Sequence, residues 1–182
     1  MHGLILSELK HFAEATFGNE AWPVLLQDAG LGQRMYMAGE IYPDAEVVAI
    51  VGAAARRAGA DPQTILEQFG EFIAPTLMRV YKPYIKPAWK TLDMIEHTEE
   101  NIHRAVRLRD PGAAPPELKV RRLSPSEIVI IYQSDRKMCA LARGITRGVA
   151  KHYNEKVEIT DLTCMLKGKP TCTIAVKQIP NP

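Results

Sequence analysis

Across Arg109-Asp-Pro-Gly-Ala-Ala-Pro-Pro-Glu117 the chain changes its hydrophobic period, and this constrains the fold more than any other feature. Before the segment, apolar residues recur every three or four positions; after it, short β-branched runs take over. Three prolines and a glycine cannot continue a helix, so the segment reads as a loop between two kinds of structure. Upstream, Ile5, Leu9, Phe12 and Ala13 predict an opening helix stopped by Gly18. Val47, Ile50, Val51 and Ala54 predict another. Asp61-Pro62 is a helix start, because an aspartate oxygen caps free backbone donors and proline sits where no donor is missed. Ile65, Leu66, Phe69, Phe72 and Ile73 carry that helix inward. Pro83 and Pro87 interrupt helical structure. It resumes over about 92–108, with Leu92, Ile95, Glu99, Ile102, His103 and Val106 inward and Glu99 intruding on the stripe.

Downstream, residues 118–123 and 127–133 read as strands. Met138, Leu141, Ala142, Ile145 and Val149 mark an amphipathic helix. Two further strands near 157–165 and 171–177 are joined by the turn Lys167-Gly-Lys-Pro170. The fold class is therefore α+β: a helical N-terminal lobe and a C-terminal lobe with a four-stranded antiparallel sheet and helices. Residues 1–182 are expected to form one domain, divided at about residues 65 and 66 into these two lobes.

A chain of 182 residues can enclose a cofactor-sized cavity. With 23 basic and 21 acidic residues, a net charge of +2 gives no electrostatic case for nucleic acid or an anionic membrane. No apolar run reaches the length of a membrane span, and the opening residues lack a signal peptide's three regions, so a cytoplasmic protein is expected. Three cysteines, an odd number, argue against a complete disulfide framework. No nucleophile–base pairing suggests an enzyme.

Among five histidines, His103 has the most apolar setting, beside Ile102 and Val106 with Ile95 two turns back. His97 lies about 240° away on a straight helix, among Glu96, Thr98, Glu99 and Glu100, which suits solvent. Tyr132-x-Ser134-x-Arg136 follows 29 positions after His103. A guanidinium grips a carboxylate bidentately and two hydroxyls fill remaining lone pairs; alternation aims all three to one side if the strand persists. A metal-binding histidine and a double carboxylate clamp together suit haem. On the residues alone, the bland reading stays open: a core histidine, a strand-end tyrosine, a capping serine and a solvated arginine.

The combination resembles the haem-nitric oxide/oxygen binding (H-NOX) domains, bacterial relatives of the sensor domain of soluble guanylate cyclase. The likeness runs through Met1-His-Gly-Leu-Ile5, Phe17-Gly18, Leu66-Glu-Gln-Phe-Gly70, Asn101-Ile-His103, Ala114-Pro-Pro116 and Tyr132-Gln-Ser-Asp-Arg136, essentially the whole chain. It implies haem b between the lobes, with His103 as axial ligand to the iron and Tyr132, Ser134 and Arg136 on the propionates. Pro115 would distort the macrocycle. Ile5, Ile73, Leu77 and Leu141 would line the distal pocket, and Gly70 would let a helix pass close to the proximal region. Oxygen-binding members carry a tyrosine at the position matching Leu141, so the resemblance implies NO and CO as ligands and discrimination against dioxygen. It also implies signalling through loss of the iron–His103 bond to a separate partner, a histidine kinase or a cyclic-di-GMP enzyme. A subset of relatives holds zinc through three cysteines and a histidine. Cys139, Cys164 and Cys172 match the cysteines, with Asp161 where the histidine would stand. Two other functions compete: a redox sensor working through the thiols or zinc, and a non-haem module binding another small ligand.

Overall fold

In the computed structural model, which describes residues 1–180, helix ends follow the side chains and glycines that supply them. Helix α1 (Gly3–Phe17) starts behind His2, whose Nδ1 accepts the Leu4 N–H at 3.3 Å, and stops at Gly18, where φ is 99°. Helix α2 (Ala21–Asp28) is too short for periodicity to single out, and α3 (Asp44–Ala58) follows it. Helix α4 (Pro62–Val80) begins where Asp61 Oδ1 accepts the Gln63 N–H at 2.7 Å.

The single helix expected over 92–108 is broken. It comprises α5 (Thr91–Glu96), a π-helical turn (Thr98–His103) and α6 (Arg104–Arg109). A π turn closes i→i+5 bonds and is wider than an α turn, so side-chain positions assigned on a straight helix shift. His97 shows the effect. It is half-buried rather than solvated, stacked on Trp89 with ring centroids 4.6 Å apart, and its Nδ1 lies 2.8 Å from the Asp93 carbonyl.

Strands β1 (Glu117–Ser124), β2 (Glu127–Gln133), β3 (Lys156–Thr163) and β4 (Cys172–Ile179) form an antiparallel sheet in the order β1-β2-β4-β3. Helix α7 (Cys139–His152) connects β2 to β3. Ile128, Ile130 and Tyr132 alternate into the core beside Ile174 and Val176, and Tyr132 is in register with Leu118 on one side and Cys172 on the other. β3 stops short of the expected Met165 because that residue opens a 3-10 turn, Met165–Lys167.

Two apolar clusters hold the chain. One gathers Leu6, Leu9, Phe12, Val47, Ile50 and Phe69 from α1, α3 and α4; the other gathers Leu92, Ile95, Ile102, Ile128 and Ile174 around the sheet. Helix α4 serves both, giving Ile65 and Ile73 to the first and Ala74 and Met78 to the second. The expected lobe boundary therefore falls inside a continuous helix. Among the described residues, no helix is long and apolar enough to cross a membrane.

Helix α7 lies directly on α4. A Cβ on Gly144 would sit 2.0 Å from the Glu67 carbonyl oxygen, and one on Gly70 would sit 2.4 Å from the Leu141 carbonyl oxygen. The backbones touch, so neither position has room for a methyl group. Glu67 is then clasped by Arg143 and Arg147, and Glu71 by Lys151, across the same contact.

Gly144→Ala should therefore destabilise the fold by about 1–3 kcal/mol through overpacking. Gly52→Ala, on α3 with only the Arg56 Nη1 at 3.6 Å, should instead stabilise it, by up to about 1 kcal/mol from helix propensity. Urea denaturation of both variants measures the difference in sign.

Candidate functional site

A cavity opens where the two clusters meet, bounded by the start of α1, the end of α4, the π turn and α6, the 113–116 loop, the end of β2 and α7. Counted with its open mouth, it encloses about 1200 Å³ of empty space, and its lining is mainly apolar. His103, Tyr132, Ser134, Arg136, Pro115, Ile5, Leu77 and Leu141 all line it. So does every residue of the apolar stripe on α7: Met138, Leu141, Ala142, Ile145 and Val149. That stripe faces the cavity, and the small residues behind it face α4.

One expected residue is elsewhere. Ile73 is fully buried in the N-terminal core and does not line the cavity. It sits one helical turn before Leu77, on the same face but below the cavity floor. Gly70 admits a close helix, and that helix is α7.

His103 is held by an elaborate set of partners. Its Nδ1 lies 2.9 Å from Glu99 Oε2, one turn earlier. The same oxygen accepts the Leu118 N–H of β1 at 3.1 Å, and Glu99 Oε1 accepts from Arg107 Nη2 at 2.7 Å. Burial raises the Glu99 pKa, but the bonds from His103, Arg107 and Leu118 more than reverse this, taking it from 4.5 to about 2. An ionised carboxylate only accepts hydrogen bonds, so Nδ1 carries a proton and Nε2 is the ring nitrogen not engaged by Glu99. The intrusion of Glu99 in the apolar stripe was its sequence signal; its three donors were not visible there.

Tyr132, Ser134 and Arg136 converge, but not by strand alternation. β2 ends at Gln133, and the chain turns through Ser134, whose Oγ accepts the Arg136 N–H at 3.3 Å, to Lys137 at φ 53°. Ser134 does not cap α7, whose N-cap is Met138. The Tyr132 phenol is almost fully buried, which raises its pKa and keeps it a hydrogen-bond donor. The Arg136 guanidinium is loosely matched: Nε lies 3.4 Å from Asp44 Oδ2 and Nη1 lies 3.7 Å from the Met1 Sδ. Charge-assisted N–H···O bonds run at about 2.7–2.9 Å, so this guanidinium retains donor capacity for an anion in the cavity. Asp44, 92 positions away, gives no sequence signal.

A large, mainly apolar chamber with one imidazole nitrogen offered inside it and a guanidinium and two hydroxyls at its edge fits haem. Leu141, Ile5 and Leu77 carry no hydrogen-bond donor. Tyr81, not among the expected lining residues, does line the cavity, whereas Tyr84 lines only the adjoining hollow. The charges nearest the Tyr81 phenol are Arg109 and Asp110, at the end of α6, and burial raises its pKa.

The three thiols meet near Tyr132, which is in register with Cys172. Cys164 Sγ lies 3.8 Å from Cys139 Sγ and 3.9 Å from Cys172 Sγ, and all three fall within 4.8 Å of one another with no disulfide. Burial pushes Cys139 up to about 12. Tetrahedral zinc with ~2.3 Å bonds sets sulfurs about 3.8 Å apart, so the spacing fits that ion. Asp161 does not join them. Its carboxylate is 2.9 Å from Arg143 Nη1, and the cluster of candidate ligands among the described residues contains only the three sulfurs. A guanidinium on α7, 18 positions earlier, claims that carboxylate.

Known proteins share this fold. A sequence model of the Haem-NO-binding family (HNOB) matches residues 2–161. The crystal structure of an H-NOX protein from S. oneidensis in the Fe(II)NO ligation state superimposes with a TM-score of 0.92 at 24% identity, covering 99% of this chain and 100% of that one. An NMR structure of an H-NOX domain from Shewanella oneidensis in the Fe(II)CO ligation state gives 0.88 at 24% identity, covering 100% of both chains. The Fe(II) unliganded H-NOX protein from K. algicida gives 0.85 at 18% identity, covering 100% of this chain and 98% of that one. No curated protein matches. At these identities the solved structures establish a shared fold.

Proposed function

Because this chain belongs to the Haem-NO-binding family, we propose that it is a haem-based sensor of NO that also binds CO, discriminates against dioxygen and signals to a separate partner. One observation carries this reading: the imidazole of His103, its Nδ1 tied to Glu99, opens onto an apolar cavity edged by Tyr132, Ser134 and Arg136. His103 would hold the haem iron through Nε2. Arg136, Ser134 and Tyr132 hold the propionates, and Pro115 presses on the macrocycle. The group assigned by this reading is haem b, as the family resemblance implies. When bound, ferrous haem would supply an iron able to take a diatomic gas such as NO or CO.

The protein's own residues determine which ligand is favoured and what moves. Ile5, Leu77 and Leu141 offer no hydrogen bond, which disfavours dioxygen because it takes on partial negative charge when bound. NO and CO need no such partner, and the Fe(II)NO and Fe(II)CO states of the S. oneidensis relatives support both as ligands here. The π turn and α6 are tied to β1 through Glu99 and Leu118, and their far end to the start of α1 through His2 and Asp110, 3.4 Å apart. Were His103 freed from a bound iron, this segment would lose one hold, which would bias the packing of the helical half against the sheet. The recipient is a histidine kinase or a cyclic-di-GMP enzyme, by family analogy.

The three sulfurs support a second assignment, a zinc site whose fourth ligand is not Asp161. Metal analysis should find one zinc per chain, lost in Cys172→Ser; its absence from the wild-type protein would leave the thiols as packing residues.

For the gas reading, the reduced protein should give a five-coordinate high-spin spectrum, and NO should yield a nitrosyl that loses the histidine. Air should give no stable ferrous-oxy spectrum. Tyr81→Phe should change none of these. A stable oxy complex in air would overturn the selectivity, and one abolished by Tyr81→Phe would identify the missed donor.

A further inference from the structure

We propose that Glu99 is a positioning residue that strengthens the His103–iron bond and thereby slows loss of the histidine after NO binds. The inference rests on the reading of His103 as the haem ligand. Its observations concern Glu99 alone. The carboxylate lies 2.9 Å from Nδ1, close enough for a full hydrogen bond, and it is a charged acceptor rather than a backbone carbonyl. Charge-assisted bonds are roughly twice as strong as neutral ones. Drawing the Nδ1 proton toward a carboxylate leaves more electron density on Nε2, the atom that donates its pair to the metal. Such outer partners of a ligating imidazole orient it and raise its basicity.

The surroundings hold this carboxylate in place. Arg107 Nη2 fixes one oxygen at 2.7 Å and the Leu118 N–H fixes the other at 3.1 Å, so the acid belongs both to the helical segment and to β1. Glu100, its neighbour in sequence, is exposed and takes no part in this set. Two effects oppose each other at Glu99. The carboxylate pulls on the imidazole proton, while the Arg107 guanidinium draws charge away from the carboxylate. Arg107 is bound to Oε1 and His103 to Oε2, so the opposition is partial and the pull on Nδ1 survives.

This division makes the sign of the effect testable in both directions. In the haem-loaded full chain, Glu99→Gln keeps an amide oxygen for Nδ1 but removes the charge. The iron–histidine stretching band of the ferrous protein should move to lower frequency by resonance Raman spectroscopy. The ferric/ferrous midpoint potential should rise, and stopped-flow mixing with NO should show faster passage from six- to five-coordinate nitrosyl. Arg107→Leu should move all three the other way, because it leaves the carboxylate charge undivided, and it keeps the test intact if Glu99→Gln fails to fold. A purely structural role would not produce opposite shifts in the two variants. An unmoved band and potential in folded, haem-loaded Glu99→Gln overturns the inference alone, as does an Arg107→Leu shift in the same direction as Glu99→Gln. A wild-type protein with haem but no iron–histidine band overturns the ligand assignment beneath it.

Discussion

Backbone-to-backbone contact between α4 and α7 is the constraint on which the other packing depends. Without side chains at Gly70 and Gly144 the two helices close to a distance no other residue permits. That contact presses the small face of α7 against α4 and leaves its large face, Met138 through Val149, turned to the cavity. Because α4 contributes to both apolar clusters, the same helix fixes the cavity's position between them. The void is a consequence of which face of α7 is small.

Polar order is confined to the cavity's edge. One side is the chain of bonds from β1 through Glu99 to His103; the other is the turn that gathers Tyr132, Ser134 and Arg136. The polar groups at this edge are matched: Glu99 receives three donors, and the Tyr132 phenol stays protonated. The underused guanidinium of Arg136 is the exception, and it is the group a doubly acidic ligand would complete. Register links this edge to the thiols, since Tyr132 stands opposite Cys172 in the sheet.

Much of the fold was legible in the sequence because it rests on local chemistry. Asp61-Pro62 starts α4, Gly18 stops α1, and the Pro-rich stretch divides helices from strands. The Met138–Val149 stripe identified a buried face, but periodicity cannot tell a face against core from one against a cavity. What escaped was non-local. The π turn before His103 depends on partners in β1, and its wider pitch moved His97 onto Trp89. Ile73 was misplaced by one turn because helical phase records direction and not depth. Asp161 was offered to zinc without knowledge that Arg143 would reach it. Tyr132, Ser134 and Arg136 reached a common cavity through a turn rather than by the alternation invoked for them.

The central claim is that the cavity takes one haem through His103, and hemin titration tests it most directly. Apoprotein should bind one hemin per chain with a shifted absorption band. His103→Gly should bind it without axial histidine and recover the wild-type spectrum when imidazole is supplied. A chain that refuses hemin, or a His103→Gly variant indistinguishable from wild type without imidazole, would contradict the account.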